Sequence, residues 1–269
     1  MRGDCIKMKP ISKTIKLALT GAIALGMAST VALAGDEVVN CQGLPGYSAL
    51  KSALTTARGQ SNGGFNLDMW ATVVNRDGLV CAVAFTGADR GSEWPGSRVI
   101  SAQKANTANA FSLPALSLST ANLYAAVQPG GTLFGLQHSN PVNTLAAYKG
   151  PASNFGQAND PMVGSRIGGV NVFGGGLALY AKGHVLVGAI GVSGDTSCAD
   201  HNIAWRTRSS LKLDFVPGGV GADGTRPDNI NYQGKVPVPR VANDFSHPIC
   251  KIGGVDGVSA ISAGLPITE

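Results

Sequence analysis

Two short motifs hold the most chemically versatile side chains of this chain. Cys198-x-x-His201 and His247-x-x-Cys250 mirror each other, and two Cys with two His are a common ligand set for zinc. A pair of histidines can also ligate haem iron. In an exported protein the same cysteines are more often oxidised, so the motifs favour a Cys198–Cys250 disulfide over a zinc site. That disulfide would bring His201 and His247 together.

Residues 1–34 have the pattern of a signal peptide. Basic residues come first, an apolar run follows over Leu17–Ala28, and the small residues Ala32-Leu33-Ala34 are typical of a cleavage site. The apolar run is too short to span a membrane, and no later run is long enough. We therefore expect a mature chain that begins near Gly35, has no membrane span and lies in the periplasm or outside the cell.

Four cysteines remain in the expected mature chain, because Cys5 leaves with the signal peptide. An even number of cysteines in an exported protein favours two disulfides, for which three pairings are possible. If Cys198 pairs with Cys250, the second disulfide is Cys41–Cys81. We do not expect zinc as a cofactor of such a protein.

The net charge of +5 over 269 residues overstates the basic character of the mature chain. Residues 1–34 contain five basic residues and one acidic residue, so a charge of +1 remains after cleavage. Such a chain lacks the basic surface that nucleic-acid binding requires, and we expect no nucleic-acid partner. With 44% hydrophobic residues, 37 glycines and only 14% charged residues, the composition indicates a real core with many turns and strands.

Common catalytic motifs are missing from the glycine-rich stretch Gly188–Asp195. Ser193 lacks the second spaced glycine of a nucleophile elbow. The glycines at 188, 191 and 194 do not have the G-x-G-x-x-G spacing of a dinucleotide site. We therefore expect neither a serine hydrolase nor a dinucleotide-binding protein, and we assign no catalytic residue.

Short elements position these residues. Hydrophobic periodicity and turn signals predict helices and strands in the order helix, hairpin, helix, loops, strands, helix. Hairpins imply antiparallel pairing, so we expect an α+β fold with one antiparallel sheet of about five strands and helices packed on its faces. A long loop region over Thr132–Ile167 and an irregular tail, Asp214–Glu269, complete the chain. The predicted elements are Tyr47–Arg58, Met69–Asn75, Leu79–Phe85, Arg98–Phe111, Leu177–Tyr180, Val185–Val192 and Cys198–Leu213.

The turn before the last helix is a candidate anion site. Ser197-Cys198-Ala199-Asp200 fits a capping box with Ser197 at the N-cap. Free backbone N–H groups at a helix N-terminus favour an anionic ligand group, although an ordinary strand–helix connection gives the same pattern. Lys104, a cation in a helix of small residues, either supplies a counter-charge to a carboxylate or lies at the surface.

Several blocks of the sequence resemble the GlcG/HbpS-type haem-binding family. They are ATVVNRDGLV at Ala71–Val80, SAQKANTANAF at Ser101–Phe111, GGVNVFGGGLAL at Gly168–Leu179 and VGAIGVSG at Val187–Gly194. The blocks follow the family's order and span roughly Tyr47–Leu213. The region Ser119–Ile167 is expanded relative to the family, and the cysteine-bearing tail is additional.

The resemblance implies a profilin-like fold, haem as the ligand and a tendency to form homo-oligomers. Together with the signal-peptide pattern, it divides the chain into a signal peptide (1–34), a GlcG/HbpS-like domain (41–213) and an irregular C-terminal extension packed on the domain (214–269). It also implies that Lys104, the loop Phe173–Gly176 and the turn Ser193–Thr196 border the ligand pocket. The pocket residues are therefore Lys104, Phe173, Gly174, Gly175, Ser193, Gly194 and Thr196.

These observations favour an exported protein that binds haem or a similar anionic, planar ligand. Phe173, Trp94 and Tyr148 are candidates for ring contacts, and His201 or His247 is the candidate for contact with the iron. No Cys-x-x-Cys-His motif is present, so covalent c-type attachment is excluded. Two alternatives stay open: a small-molecule enzyme or sensor domain that binds an organic acid without iron, and a structural or interaction protein.

Overall fold

Four antiparallel strands form the central sheet. The structure is a computed structural model that describes residues 40–233 and 245–269, so the predicted signal peptide lies outside the described residues. The strands lie in the order β2-β1-β4-β3. Both predicted hairpins are present, and each turns at a glycine with positive φ, Gly78 at 73° and Gly183 at 82°. The strands are β1 (Trp70–Asn75), β2 (Val80–Phe85), β3 (Gly176–Ala181) and β4 (Val185–Ser193).

The expectation of five strands is wrong, because the sheet has four. The segment before β3 carries apolar Val170 and Val172, yet it does not join the sheet. Its backbone is bonded to side chains of the second helix instead: Asn106 Nδ2 donates to the carbonyl of Gly169 at 2.8 Å, and the N–H of Asn171 donates to Thr107 Oγ1 at 3.0 Å. With these backbone groups already bonded, the segment has no need of a neighbouring strand.

Helices cover both faces of the sheet. Helix α2 (Ser97–Phe111) lies on one face, while α1 (Tyr47–Arg58) and α5 (Ser197–Ser210) lie together on the other. Because both faces are covered, the central strands are apolar on both sides rather than alternating. The core between α1, α5 and the sheet includes Leu50, Leu54, Val73, Ile190, Ile203 and Trp205, and the core under α2 includes Trp70, Val74, Val83, Ala102, Ala105 and Ala108.

Helix α2 lies unusually close to strand β4. A Cβ atom added at Gly191 would lie 1.9 Å from the carbonyl oxygen of Ser101 and 2.5 Å from the backbone nitrogen of Ala105. Glycine is therefore required on the strand, and small residues are required on the facing side of the helix. The small residues of this helix serve to pack it against the sheet.

The expanded region contains only short elements. Two one-turn helices, α3 (Leu136–Ser139) and α4 (Thr144–Ala147), are joined by loops and by 3₁₀ turns at Thr120–Leu123, Ala125–Val127 and Ala152–Asn154. The region is nevertheless anchored, because Ala147, Met162 and Ile167 are buried in the core under α2.

The tail after residue 213 is also made of short elements. It contains two-residue strands that pair as β5 (Asn231–Tyr232) with β6 (Ser246–His247) and as β7 (Lys251–Ile252) with β8 (Val255–Asp256), followed by helix α6 (Ser259–Ala263). The side chain of Leu265 belongs to the core beneath α5, and the indole of Trp205 donates to the carbonyl of Pro266 at 2.9 Å.

Two disulfides fix the ends of the described chain. Cys41 is bonded to Cys81 on β2, and Cys198 on α5 is bonded to Cys250 in the tail, with Cα–Cα separations of 5.7 and 5.9 Å. This is the pairing that the sequence favours. Among the residues that the structure describes, every helix is too short or too polar to cross a membrane.

Candidate functional site

One end of the sheet gathers the residues singled out in the sequence. Trp70 at the start of β1 pairs with Ser193 at the end of β4 and with Phe85 at the end of β2. Gly176 at the start of β3 pairs with Gly191. The loop before β3 and the turn after β4 therefore lie at this same end, which we call the ligand end of the sheet.

Lys104 is buried at this end and forms an ion pair. Its ammonium lies 2.6 Å from Asp200 Oδ2 and donates to the carbonyl of Val192 at 2.9 Å. Burial lowers the pKa of Lys104, and the charge of Asp200 acts in the opposite direction. Burial also raises the pKa of Asp200 to about 6, against the attraction of Lys104. Because Asp200 uses this cation, Lys104 is neither a surface lysine nor a free counter-charge.

The N-terminus of α5 is capped by Thr196, and the prediction of Ser197 at the N-cap is wrong. Thr196 Oγ1 accepts from the N–H of Ala199 at 3.3 Å. The carboxylate of Asp200 reaches back past the cap and accepts from the N–H of Asp195 at 2.9 Å. Protein side chains thus occupy N–H groups that the sequence offered to an anionic ligand.

Ser197 has a different role from capping. Its hydroxyl oxygen accepts from the N–H of Gly174 at 2.6 Å and lies 2.8 Å from Nε2 of His247. The side chain therefore ties the loop before β3 to the tail. At the next position, the N–H of Cys198 donates to the sulfur of Cys250 at 3.2 Å.

The glycines of the predicted pocket mainly allow close packing. A Cβ atom at Gly174 would lie 2.3 Å from the carbonyl of Ser197, and one at Gly194 would lie 2.2 Å from the carbonyl of Asp68. Gly175 has φ of 112°, and a Cβ atom there would lie 3.3 Å from Lys104 Nζ. The structure thus brings this loop, the turn and Lys104 together, as expected, in a tightly packed arrangement. Of the predicted pocket residues, Phe173 is 46% exposed, whereas Ser193 is buried.

Both candidate iron ligands are buried histidines. His201 lies inside α5 with Nε2 3.1 Å from Asn229 Oδ1, and its Nδ1 has no hydrogen-bond partner among the described residues. His247 uses both nitrogens, one with Ser197 and one with the carbonyl of Pro248 at 2.7 Å. Burial lowers the pKa of His201 to about 3 and that of His247 to about 4, so both rings are neutral at pH 7. Their contact with iron stays a prediction.

An open groove lies beside the ligand end, on the α2 face of the sheet. It has a volume of about 320 Å³. Its walls come from β1, from the loop before α2 and from the expanded region, so residues that are far apart in the sequence meet there. We call it the aromatic groove, after the rings among its lining residues Trp70, Arg90, Pro95, Arg98, Tyr148 and Phe155.

Two arginines give the aromatic groove different electrostatic properties. Arg98 is buried, forms an ion pair with Asp160 in which Nε lies 2.9 Å from Oδ2, and stacks on Phe155 with its guanidinium carbon 3.6 Å from the ring centroid. Its charge is therefore balanced by protein. Arg90 is exposed and forms no ion pair with any residue in the described part of the chain. The carboxylate of Asp89, which also lines the groove, accepts from the N–H of Gly91 at 2.7 Å.

Comparison with known proteins now gives the family. The HbpS-like family, described as haem degrading protein HbpS-like, matches residues 47–208. The chain belongs to the HbpS-like family. The resemblance read from the sequence is thus confirmed, and the matched range contains both the ligand end and the aromatic groove. The tail, which supplies Asn229, His247 and Cys250, lies outside the range that matches the HbpS-like family.

Solved structures similar to this HbpS-like chain include a complex with haem. The PduOC:heme complex is 23% identical and covers 61% of this chain and 89% of its own, with a TM-score of 0.42. The Klebsiella pneumoniae protein ORFY is 23% identical and covers 62% of this chain and 90% of its own, with a TM-score of 0.41. A double mutant of Streptomyces reticuli HbpS is 19% identical and covers 62% of this chain and 86% of its own, with a TM-score of 0.37. None of the curated proteins matches the chain.

The sequence suggested Trp94 and Tyr148 as candidates for ring contacts, but it did not single out Arg90 or Glu93. In the structure Glu93 is buried, and burial raises its pKa to about 7, while hydrogen bonds, chiefly from Ser97 Oγ at 2.8 Å, act in the opposite direction. Trp94 and Tyr148 are exposed, and Tyr148 lines the groove. No spacing in the sequence signals the groove, because its walls are assembled from separate loops.

Proposed function

We propose that this HbpS-like protein is exported and binds haem or a similar planar, anionic ligand. The observation that carries the proposal is the family match over residues 47–208, since the family is described by its action on haem. Two disulfides are consistent with export into an oxidising compartment.

The aromatic groove is the site that we propose for the ligand. Ligand sites typically have volumes of about 300–1,000 Å³ and combine apolar walls with a few polar groups. The groove meets this description, since the exposed ring of Tyr148 and the half-buried ring of Phe155 can contact a planar ligand and Arg90 can pair with a carboxylate. The sequence-based pocket at Lys104 and Gly174 is the alternative, but an anion there must displace the carboxylate of Asp200 from Lys104 and from the N–H of Asp195.

The donor set of the groove fits haem iron through Tyr148. Protein ligands to haem iron are His, Cys, Met or Tyr, and among the described residues Tyr148 is the one of these types that lines the groove. Its side chain is 59% exposed, so the phenol can reach a ligand without rearrangement. Bound haem would supply a redox-active iron. His201 and His247 remain the alternatives from the sequence, but His247 would have to give up its contact with Ser197 and His201 is fully buried inside α5.

Titration with haemin tests the proposal. We expect a saturable change of the Soret band at micromolar protein, with one haem per chain. Absence of that change at micromolar protein would show that the protein does not bind haem. Tyr148→Phe should change the spectrum of the bound haem, because the phenolate is lost, whereas Tyr47→Phe on α1 should leave it unchanged.

Substitutions in the aromatic groove and at the alternative iron ligands show where haem binds. Arg90→Ala should weaken haemin binding about two- to fivefold, as expected for an exposed ion pair, and Lys182→Ala in the β3–β4 turn should not weaken it. If binding survives Tyr148→Phe and Arg90→Ala unchanged but the spectrum responds to His247→Ala, the groove is the wrong site and the sequence-based iron ligand is right.

Cell fractionation tests export. Expression of the full chain should yield a processed form outside the cytoplasm, and its N-terminal sequence should begin near Gly35. An unprocessed chain that stays in the cytoplasm would contradict export without bearing on haem binding.

A further inference from the structure

Cys198, Cys250 and His247 form a compact group that the proposed function does not require. The two sulfurs and one ring nitrogen of His247 all lie within 4.8 Å of one another, and both Cys198 and His247 are buried. His201, the fourth member of the mirrored sequence motifs, is not part of this group. The structure thus assembles two cysteines and one histidine, a set that binds zinc and related cations when the cysteines are reduced.

The protein surrounds both sulfurs with groups that favour thiolates. The N–H of Cys198 donates to the sulfur of Cys250 at 3.2 Å, and the N–H of Cys250 donates to the sulfur of Cys198 at 3.3 Å. Cys198 is also the second residue of the 14-residue helix α5, where the helix dipole stabilises negative charge. Hydrogen bonding and a helix N-terminus both favour the thiolate over the thiol.

His247 has the hydrogen bonds of a histidine that is ready to bind a metal. The carbonyl of Pro248 can only accept, so Nδ1 of His247, 2.7 Å away, carries the proton. Nε2 is then the acceptor, and it faces the hydroxyl of Ser197 at 2.8 Å. Metal-bound histidines commonly donate their second N–H to a carbonyl in this way, which fixes the ring orientation.

We propose that reduction of the Cys198–Cys250 disulfide creates a site for a thiophilic divalent cation such as Zn²⁺. The ligands are the two cysteine sulfurs and Nε2 of His247, which exchanges its contact with Ser197 for the metal. A fourth position is left for water. The disulfide and the metal therefore exclude each other.

The chemistry balances with an external thiol as the reductant. One thiolate attacks a sulfur of the disulfide and forms a mixed disulfide, and a second thiol releases it, so that two thiols are oxidised to one disulfide while Cys198 and Cys250 gain two protons and two electrons. Binding of M²⁺ to the two thiols then releases two protons. The metal itself does not change its oxidation state.

The second disulfide supplies a built-in control. Within the described residues, Cys41 and Cys81 belong to no group of three potential metal ligands. The triple variant Cys5→Ser/Cys41→Ser/Cys81→Ser therefore leaves Cys198 and Cys250 as the two cysteines of the full chain. It should be studied as the full chain, reduced with a thiol, freed of the thiol under nitrogen and titrated with Co²⁺, whose thiolate complexes absorb strongly.

The expected result is one Co²⁺ per reduced chain, with a thiolate charge-transfer band, and no binding by the oxidised chain. Adding His247→Gln to the same background should weaken Co²⁺ binding at least about tenfold. Adding His201→Gln should not weaken it. Zn²⁺ should displace Co²⁺ and abolish the band.

Three outcomes would overturn the proposal. One is a reduced chain that binds no Co²⁺, and another is equal binding by the oxidised chain. The third is that the chain unfolds on reduction and that Co²⁺ does not restore the fold, as measured by circular dichroism. Haemin binding by the oxidised protein is measured separately, so failure of the metal site leaves the proposed function untouched.

Discussion

At the scale of single residues, the buried ion pairs dominate the ligand end and its surroundings. Lys104 and Asp200 are 1% and 3% exposed at their side chains, so neither charge has water as an alternative partner. Removing one member of a buried pair leaves the other charge without compensation, which typically destabilises a protein by about 3–5 kcal/mol. The pair thus fixes α2 to α5 across the end of β4.

Lys104→Met should therefore lower the free energy of unfolding by about 3–5 kcal/mol. The variant keeps most of the aliphatic volume of the side chain and leaves Asp200 unpaired. Urea unfolding at neutral pH measures the change. Lys182→Met, in the exposed β3–β4 turn, is the control and should behave like the unsubstituted protein. A loss below about 1 kcal/mol for Lys104→Met would show that water reaches Asp200.

A second prediction concerns the pH dependence of the unfolding free energy that arises from His201. Burial lowers its pKa from 6.5 to about 3, so the unfolded chain binds a proton at pH values where the folded chain does not. The stability that this group contributes is fully present above pH 6.5 and is lost as the pH falls towards 3. The slope from this one group is about 1.4 kcal/mol per pH unit.

Comparison with His201→Gln isolates that slope. The difference in unfolding free energy between the unsubstituted protein and the variant should be constant above about pH 7. It should then fall by about 1.4 kcal/mol for each pH unit between about pH 6 and pH 4. Urea unfolding of both proteins at a series of pH values in this range measures the difference. A difference that stays constant to about pH 4 would mean that the folded protein protonates His201 as readily as the unfolded chain.

Residue types in the sequence pointed to Lys104, His201 and His247, but not to their partners. Lys104 and Asp200 are 96 positions apart, and His201 and Asn229 are 28 apart. Helical or strand periodicity reports which face of an element is apolar, not which distant side chain meets it. For that reason the sequence indicated an open anion site where the structure has a satisfied network.

At the scale of elements, α2 and β4 pack closely at Gly191, where an added Cβ atom would approach the helix backbone more closely than at any other described glycine. A Cβ atom at Gly191 would overlap the backbone of α2 at Ser101. The backbone of a helix cannot move aside to relieve the overlap, whereas the end of a flexible side chain can. Gly191→Ala should therefore destabilise the protein by about 1–3 kcal/mol or more. Thermal unfolding measures it.

Gly96→Ala is a matched control for this prediction. Gly96 is the N-cap of the same helix, with φ of −64°, and a Cβ atom there would meet no atom within 4 Å. Because Ala adopts this backbone conformation without strain, the replacement should change stability by less than about 1 kcal/mol. Equal effects of the two substitutions would show that α2 can move away from the sheet without loss.

Periodicity located the main elements to within one to three residues, because each has one long apolar face. The predicted helix Tyr47–Arg58 coincides with α1. The expected fifth strand, to which the sequence assigned no residues, is absent from the described sheet, and the apolar segment around Val170 and Val172 packs beside α2 and bonds to its side chains. Alternating apolar residues indicate an extended, half-buried segment, and only its hydrogen-bond partners make it a strand.

At the scale of the whole molecule, the tail completes the core of the HbpS-like region. Arg208 of α5 forms a fully buried, two-pronged ion pair with Asp228 of the tail, with N–O distances of 2.6 and 2.8 Å. The same guanidinium donates to the carbonyl of Ala178 on β3 at 3.1 Å. We therefore expect the predicted domain, 41–213, and the predicted extension, 214–269, to unfold as one cooperative unit.

Asp228→Asn tests this coupling. The variant keeps the shape of the side chain but leaves Arg208 buried without a counter-charge, so it should destabilise the protein by about 3–5 kcal/mol. Glu269→Gln is the matched control, because Glu269 pairs with Lys212 just beyond α5 but both side chains are exposed. Exposed pairs contribute little, so this control should leave the unfolding midpoint unchanged.

Two probes decide whether the coupling extends over the whole molecule. In a Trp70→Phe/Trp94→Phe background, where Trp205 is the remaining tryptophan, fluorescence reports the contact between α5 and the tail. Circular dichroism reports the helices and the sheet together. In Asp228→Asn the two signals should shift to lower urea together, since a single cooperative unit has a single transition. If fluorescence shifts while circular dichroism keeps its midpoint, the tail unfolds separately and the HbpS-like region is stable without it.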